Sequence, residues 1–325
     1  MRCLTGGACK NDGGSSRAHK KTTRGRSLQE TLRWHPPVHA AGRCVMSRGA
    51  IFAYCGCGAV VAAALIDEYS GLRKWRTARH RIATAAGDVD LRLRAAVRPP
   101  PIGCAEWPAG RVLLECALAD VHSDSVVLEL GAGIGMTSIG LALATGARVV
   151  ATDVDDVALD NLRANAERHK ATLTVARWDA TGGAAAVRQL PVAATELTHV
   201  LGSDLCYSGG AEAPGLAATL SELLRVQPGL AVRLLLVDRF SGGAVAAVAA
   251  VAGVEHEATT TDVAIVQFER ACAKHGLSTR RHPVPDAAAD RVARQLDPWT
   301  SFQWWLSGAW EGFVLYEIST QKGSS

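Results

Sequence analysis

Aromatic residues are scarce: Phe, Tyr and Trp together make up 5% of the 325 residues, and there are three Met. A core with so few large rings must be filled by Ala, Val and Leu, with Gly where backbones approach closely. That mix suits helices packed tightly on a parallel sheet. Cys-x-x-Cys pairs are missing as well. The nine cysteines (Cys3, Cys9, Cys44, Cys55, Cys57, Cys104, Cys116, Cys206 and Cys272) are scattered, with an odd total and no zinc-site spacing. Neither a structural metal site nor a disulfide framework is expected, and the thiols read as reduced. Long hydrophobic runs are nearly absent too. The exception is AIFAYCGCGAVVAAALI, residues 50–66, which at about 17 residues is at the short edge of what spans a bilayer.

Three readings of residues 50–66 stay open: a membrane anchor, part of a cleaved organelle-targeting leader, or a buried helix. Met46 stands just before this run as an alternative start. If the run spans a bilayer, Arg73, Lys74, Arg76, Arg79 and Arg81 outnumber Arg43 and Arg48 and place the C-terminal side in the cytosol. The expected location is therefore cytoplasmic, either free or membrane-anchored with the catalytic part cytosolic. Organelle targeting is the alternative.

Charge of one sign is concentrated at one end. Residues 1–48 carry ten Lys/Arg against Asp12 and Glu30, a surplus of eight; since the chain totals +4, the remainder sums to −4. The organisation expected is a basic disordered leader at 1–48, an apolar segment and linker at 49–87, and a folded domain at 88–325. A mildly acidic body argues against wrapping nucleic acid and for a basic protein substrate.

From residue 88 the texture becomes regular. DVDLRLRAAV alternates as a half-buried strand, and three prolines at 99–101 break it. Helices are expected at 109–121, 136–145, 157–169, 215–226, 243–252 and 263–275. Strands are expected at 125–130, 148–152, 172–177, 198–202, 231–237 and 312–318. Strands alternating with helices of this length imply an α/β, doubly wound, mostly parallel sheet with helices on both faces.

VVLELGAGIG, residues 126–135, is a buried strand running into a Gly-rich turn that opens a helix. Glycines there let the backbone approach a ligand at the carboxyl edge of the sheet. About 20 residues on, the next strand ends at Asp153, where an acid hydrogen-bonds the ribose diol of an adenosyl ligand. The spacing of Gly131, Gly133 and Gly135 is G-x-G-x-G, not the G-x-G-x-x-G that cradles a pyrophosphate. Glu129 would repel a diphosphate but tolerate a sulfonium and an α-amino group. This favours S-adenosylmethionine over NAD and opposes a nicotinamide-dependent oxidoreductase.

These residues, followed by GARVVATDVDDVALDNLRANAERH, LTVARWDAT and LTHVLGSDLCY, and preceded by EWPAGRVLLECAL, resemble the seven-strand protein-lysine methyltransferases, methyltransferase family 16. The likeness spans roughly residues 88–325, with five motifs in order. It implies a seven-strand Rossmann-like methyltransferase sheet, S-adenosylmethionine as cofactor, a protein lysine as acceptor, and a monomer. Trp107 would lie beside the cofactor, favouring the sulfonium by cation–π attraction. Glu129, Gly131, Gly133 and Gly135 would line its methionine and ribose side, and Asp153 would bind the ribose. Trp178 would pack near the adenine, with Asp179 reaching the adenine amino group. Ser203 would touch the cofactor through its backbone. Asp204 and Tyr207, in the D-x-x-Y segment, would be catalytic: Asp204 orients the incoming amine and Tyr207 walls the lysine channel. Cys206 reads as a small filler and Asn165 as structural. Asp238, Arg239 and the cluster Trp299, Phe302, Trp304, Trp305 and Trp310 carry weaker functional readings beside structural ones. Methylation of a histidine or small amine, and a non-catalytic cofactor-binding module, stay open as alternatives.

Overall fold

The computed structural model describes residues 75–84, 87–96, 102–238, 262–295 and 312–321. The expectations for 1–48, 50–66, the helix at 243–252, Arg239 and the tryptophan cluster at 299–310 lie outside these residues. Among the described residues no helix is long and apolar enough to cross a membrane.

The elements, in chain order, are β1 (Trp75–Ile82), β2 (Val89–Ala96), α1 (Pro108–Ala117), β3 (Val126–Leu130), α2 (Met136–Thr145), β4 (Arg148–Asp153), α3 (Asp156–His169), β5 (Thr174–Arg177) and α4 (Gly183–Val187). They continue with β6 (His199–Ser203), α5 (Ala213–Val226), β7 (Ala231–Val237), α6 (Val263–Lys274), β8 (Leu277–Pro283), α7 (Asp286–Ala293) and β9 (Phe313–Thr320). Seven strands form one sheet in the order β5-β4-β3-β6-β7-β9-β8. The first five are parallel, while β9 runs antiparallel to both β7 and β8. The doubly wound seven-strand arrangement is therefore present.

β3 is apolar almost throughout because both its faces are covered, as a central parallel strand requires. It sits between β4 and β6, so the strand order reverses at its carboxyl end. Loops diverge at such a switch point and leave a crevice. Helix α2 opens after Gly135 and closes on Gly146, both in the left-handed region. Helix α3 starts on Asp155, whose side chain accepts a bond from the Val157 N–H. Two extensive apolar clusters are built on the sheet. One includes α4, α5 and α6 (Leu197, Leu220, Phe268), and the other α1, α2 and the β1–β2 hairpin (Ile82, Leu113, Ile139).

β1 carries no strand signal in the sequence. It pairs antiparallel with β2, placing Trp75 opposite Ala96 and Ile82 opposite Val89. Its inward residues are Ala78, His80 and Ile82, so a buried histidine interrupts what would otherwise be a legible apolar alternation. Asn165 fastens the hairpin. Its side-chain oxygen accepts from the Arg94 N–H at 2.7 Å, and its amide donates to the carbonyls of Arg94 (3.1 Å) and Ile134 (3.0 Å). The structural reading of Asn165 agrees with this geometry.

Candidate functional site

A cleft of about 1080 Å³ opens at the carboxyl ends of β3, β4, β5 and β6. Its walls are the turns after those strands, the segment from Ile102 to Gly110, and the first turns of α2 and α5. It has room for an adenosyl ligand and part of an acceptor.

The floor is built from β3. Glu129 is 2% exposed, and its carboxylate accepts a hydrogen bond from the Ser138 hydroxyl. Burial pushes its pKa up to about 7, against the opposing pull of hydrogen bonds from Ser138 and Thr137 at the N-terminus of α2. A buried carboxyl poised in this way ionises readily when a positive group arrives beside it. The turn after β3 comes next. Gly133 has φ of +53°, and a Cβ there would lie 2.9 Å from the Gly103 carbonyl oxygen, so only glycine lets the two loops close on each other. The Gly133 N–H donates to Asp153 Oδ2 at 3.0 Å, while Oδ1 accepts from the Asp155 N–H at 3.1 Å. Each oxygen keeps a lone pair for a diol, because a carboxylate offers about four acceptor sites.

Gly131 and Gly133 line the cleft, but Gly135 does not, which corrects the sequence expectation. Gly135 opens helix α2 with φ of +86°, and a Cβ there would strike Ile139 at 2.8 Å and Leu162 at 3.2 Å. It is a glycine for packing, not for ligand approach.

The remaining expected residues all reach the cleft. Trp107 precedes α1, is 42% exposed, and donates from its indole N–H to the Ile102 carbonyl at 2.9 Å. Trp178 is buried, with its indole N–H held by the Ala186 carbonyl at 2.8 Å. Asp179 closes its own turn through Oδ1, accepting from the N–H and hydroxyl of Thr181. Ser203 ends β6. Asp204 follows with φ of +51°, a conformation that costs a non-glycine residue on the order of 1 kcal/mol. Its N–H is held by the Leu235 carbonyl at 2.7 Å. The strained backbone is thus pinned by the neighbouring strand. Tyr207 is half exposed. Burial, then the carboxylates of Glu212, Asp153, Asp204 and Asp155, hold its phenol above the usual tyrosine range. Cys206 faces the core instead, 3% exposed, with its thiol pushed up to about 12 by burial; it is inert filler. Asp238 directly follows β7, accepting from the Asp262 N–H at 3.1 Å, outside the cleft lining.

Sequence reasoning missed three groups. Thr137 and Ser138 are the donors that hold Glu129. Glu106, one residue before Trp107, is buried between Arg76 (2.6 Å) and His80 (2.6 Å) of the hairpin, anchoring the Trp107 wall. Its place in EWP was the available signal. Glu212, at the mouth of α5, lines the cleft and had no signal beyond the helix start that Pro214 marks.

A family model described as lysine methyltransferase matches residues 87–237. No curated protein matches the sequence. Solved structures similar to this chain include the CcbJ methyltransferase from Streptomyces caelestis, 15% identical, covering 68% of this chain and 92% of its own, with a TM-score of 0.43. Another is a geranyl diphosphate C-methyltransferase from Streptomyces coelicolor A3(2) bound to S-adenosyl-L-homocysteine, 12% identical, covering 66% and 80%, with a TM-score of 0.42. A third is a glycopeptide N-methyltransferase complexed with S-adenosyl-L-methionine, 17% identical, covering 66% and 88%, with a TM-score of 0.42. None is close enough to speak to the acceptor.

Proposed function

We propose, from the match of residues 87–237 to a lysine methyltransferase family model, that this chain methylates a lysine side chain on a partner protein. That match supports an S-adenosylmethionine-dependent methyltransferase; the lysine acceptor is the reading we add. The observation that carries this addition is the Asp204–Tyr207 segment. It places a carboxylate and a neutral phenol on the wall of the same cleft that Glu129 and Asp153 line.

When bound, S-adenosylmethionine supplies an electrophilic methyl group with a neutral thioether as leaving group. The cleft suits that cofactor. Glu129 is a buried carboxyl that gains a favourable partner in an α-ammonium, and Asp153 accepts from ribose hydroxyls. Trp107 offers an aromatic face to positive charge, Trp178 walls the adenine side, and Asp179 stands beside it to accept from the adenine amino group. Ser203 lends backbone contacts.

On the acceptor side, the main tasks are alignment and delivery of a neutral amine. An unperturbed lysine has a pKa of about 10.4, so a proton must leave first. Asp204 accepts a hydrogen bond from the incoming ammonium and orients it. Because a carboxylate favours the charged amine, its part is binding and alignment rather than base catalysis. Tyr207 and Leu205, both in the cleft lining, exclude water from one side of the amine, which disfavours its charge. The proton leaves to solvent along the exposed edge of Tyr207.

Incubating the protein with methyl-labelled cofactor and a cell extract, then hydrolysing the labelled protein fraction to amino acids, tests this reading. Label in methyllysine is expected. Label confined to methylhistidine or to small amines would overturn the lysine reading while leaving methyl transfer intact.

A further inference from the structure

We infer that Glu212 is a specificity residue for the acceptor, selecting a target lysine that is flanked by a second, permanently charged basic residue. This deepens the lysine reading and rests on it.

The lining of the cleft carries six carboxylates, Glu129, Asp153, Asp155, Asp179, Asp204 and Glu212, and among the described residues no Lys, Arg or His. The bound cofactor brings a sulfonium and an ammonium against one carboxylate, a net charge of +1. It answers the acids at the ends of β3 and β4 but leaves Glu212, which acts on the Tyr207 phenol, without a cationic partner among the described residues. The target lysine cannot make good that deficit, because its amine must be neutral when the methyl group moves. A second basic residue of the acceptor, one that stays charged, would pair Glu212. Arginine fits best, since it does not deprotonate in proteins.

Glu212 is built for such a contact. Its Oε2 is buried and has no hydrogen-bond partner among the described residues, and the side chain makes no capping bond to helix α5, which it precedes. Leaving a polar oxygen buried and unpaired is costly, and a ligand that pairs it recovers that cost. The backbone around it is firmly placed. Gly209 and Gly210 take positive φ of 64° and 84°, and a Cβ on Gly210 would come within 2.8 Å of the Gln267 Cβ. The Ala213 N–H donates to the Gly210 carbonyl at 3.0 Å, and the Leu216 N–H to the Glu212 carbonyl at 3.0 Å. The turn holds Glu212 at the cleft, and nothing local requires a carboxylate there. Of the four carboxylates that hold the Tyr207 phenol above its usual range, Glu212 acts most strongly. The same field penalises an acceptor with acidic neighbours, so selection acts by repulsion as well as attraction.

The test maps labelled lysines. The full chain and its Glu212→Gln variant are each incubated with methyl-labelled S-adenosylmethionine and the same undermethylated extract. Sites are then located by mass spectrometry and scored for charge within two residues of the acceptor. Calorimetry with S-adenosylhomocysteine checks that the variant cleft is folded, with affinities expected within about twofold. The wild type is expected to favour Arg- or Lys-flanked lysines over uncharged flanks by on the order of tenfold, from one partly buried ion pair net of desolvation. E212Q is expected to lose that preference. Lysine sites with no basic bias, or a bias that survives in E212Q, would overturn the inference and leave the lysine reading standing. Label on residues other than lysine, or none at all with cofactor binding intact, would overturn the lysine reading itself.

Discussion

Exchanging Glu129 for Gln keeps the side chain's shape and its bond to the Ser138 hydroxyl but removes the ability to ionise. In the cofactor-free protein, burial holds this carboxyl at a pKa of about 7, raised from 4.5. The folded state therefore binds more protons than the unfolded state between those two values, so stability falls as pH rises through this window and levels off above it. A shift of about 2.5 units corresponds to roughly 3 kcal/mol at about 1.36 kcal/mol per unit. The cofactor-free E129Q protein should lose that slope. It should match wild type near pH 4.5 and exceed it by up to about 3 kcal/mol at pH 8, or roughly 6–12 °C in Tm for a domain of this size. Cofactor binding should move the opposite way. Wild-type affinity for S-adenosylhomocysteine should climb between pH 5 and 7, approaching tenfold per unit, because the ligand's ammonium needs the ionised carboxylate. E129Q should bind at least about tenfold more weakly at pH 8, with a flat profile over the same range. Thermal unfolding and calorimetry across pH 5–8 give both readouts. If E129Q keeps the wild-type slope, the titrating group lies elsewhere. If wild-type binding is itself flat, Glu129 does not meet the ammonium.

Asp204→Asn should keep the fold, because Asn tolerates the left-handed backbone at φ of +51°. It should slow methyl transfer by roughly 100-fold or more, about 3 kcal/mol of barrier, with S-adenosylhomocysteine affinity within about twofold; equal loss of both would assign Asp204 to the cofactor instead. Trp107→Ala should weaken cofactor binding by about tenfold, the range of one desolvated cation–π contact, while Trp107→Phe restores part of it. Since Trp107 is 42% exposed, Tm should hardly move, and a large drop would mean the ring is a packing element. Glu106→Ala leaves the partly buried Arg76 and the buried His80 without their shared carboxylate and should cost roughly 3 kcal/mol in denaturant unfolding. A change under about 1 kcal/mol would show that the hairpin is not held through this cluster.

How much could be read in the chain varied with how local the cause was. The turn from β3 to α2 and Asp153 at the end of β4 were legible because each is set by residues adjacent in sequence: a buried apolar run, a left-handed glycine, and a strand end. Helix α2 falls at 136–145 as expected, since glycines punctuate both its ends. Edge strands were harder. β8 reads LSTRRHP and buries only Leu277 fully, so its apolar alternation is too sparse to register. β1 hid behind His80, whose burial is made tolerable by Glu106 from 26 residues away. Gly135 is indistinguishable in sequence from Gly131 and Gly133, because spacing cannot separate a glycine that faces a cleft from one that faces Ile139.

The local pattern of apolar runs, glycines and strand-end acids was enough to decide the class of fold, the edge of the sheet where the cleft opens, and the electrostatic preference for a positively charged adenosyl cofactor. Each of these depends on side-chain periodicity and backbone permissiveness, which act over a few residues. The antiparallel insertion of β9 between β7 and β8, the clamp of Arg76 and His80 on Glu106, and the unpaired oxygen of Glu212 beside Tyr207 were decided by tertiary packing. They arise from groups far apart along the chain, whose meeting depends on how the sheet closes and how its helices cover it.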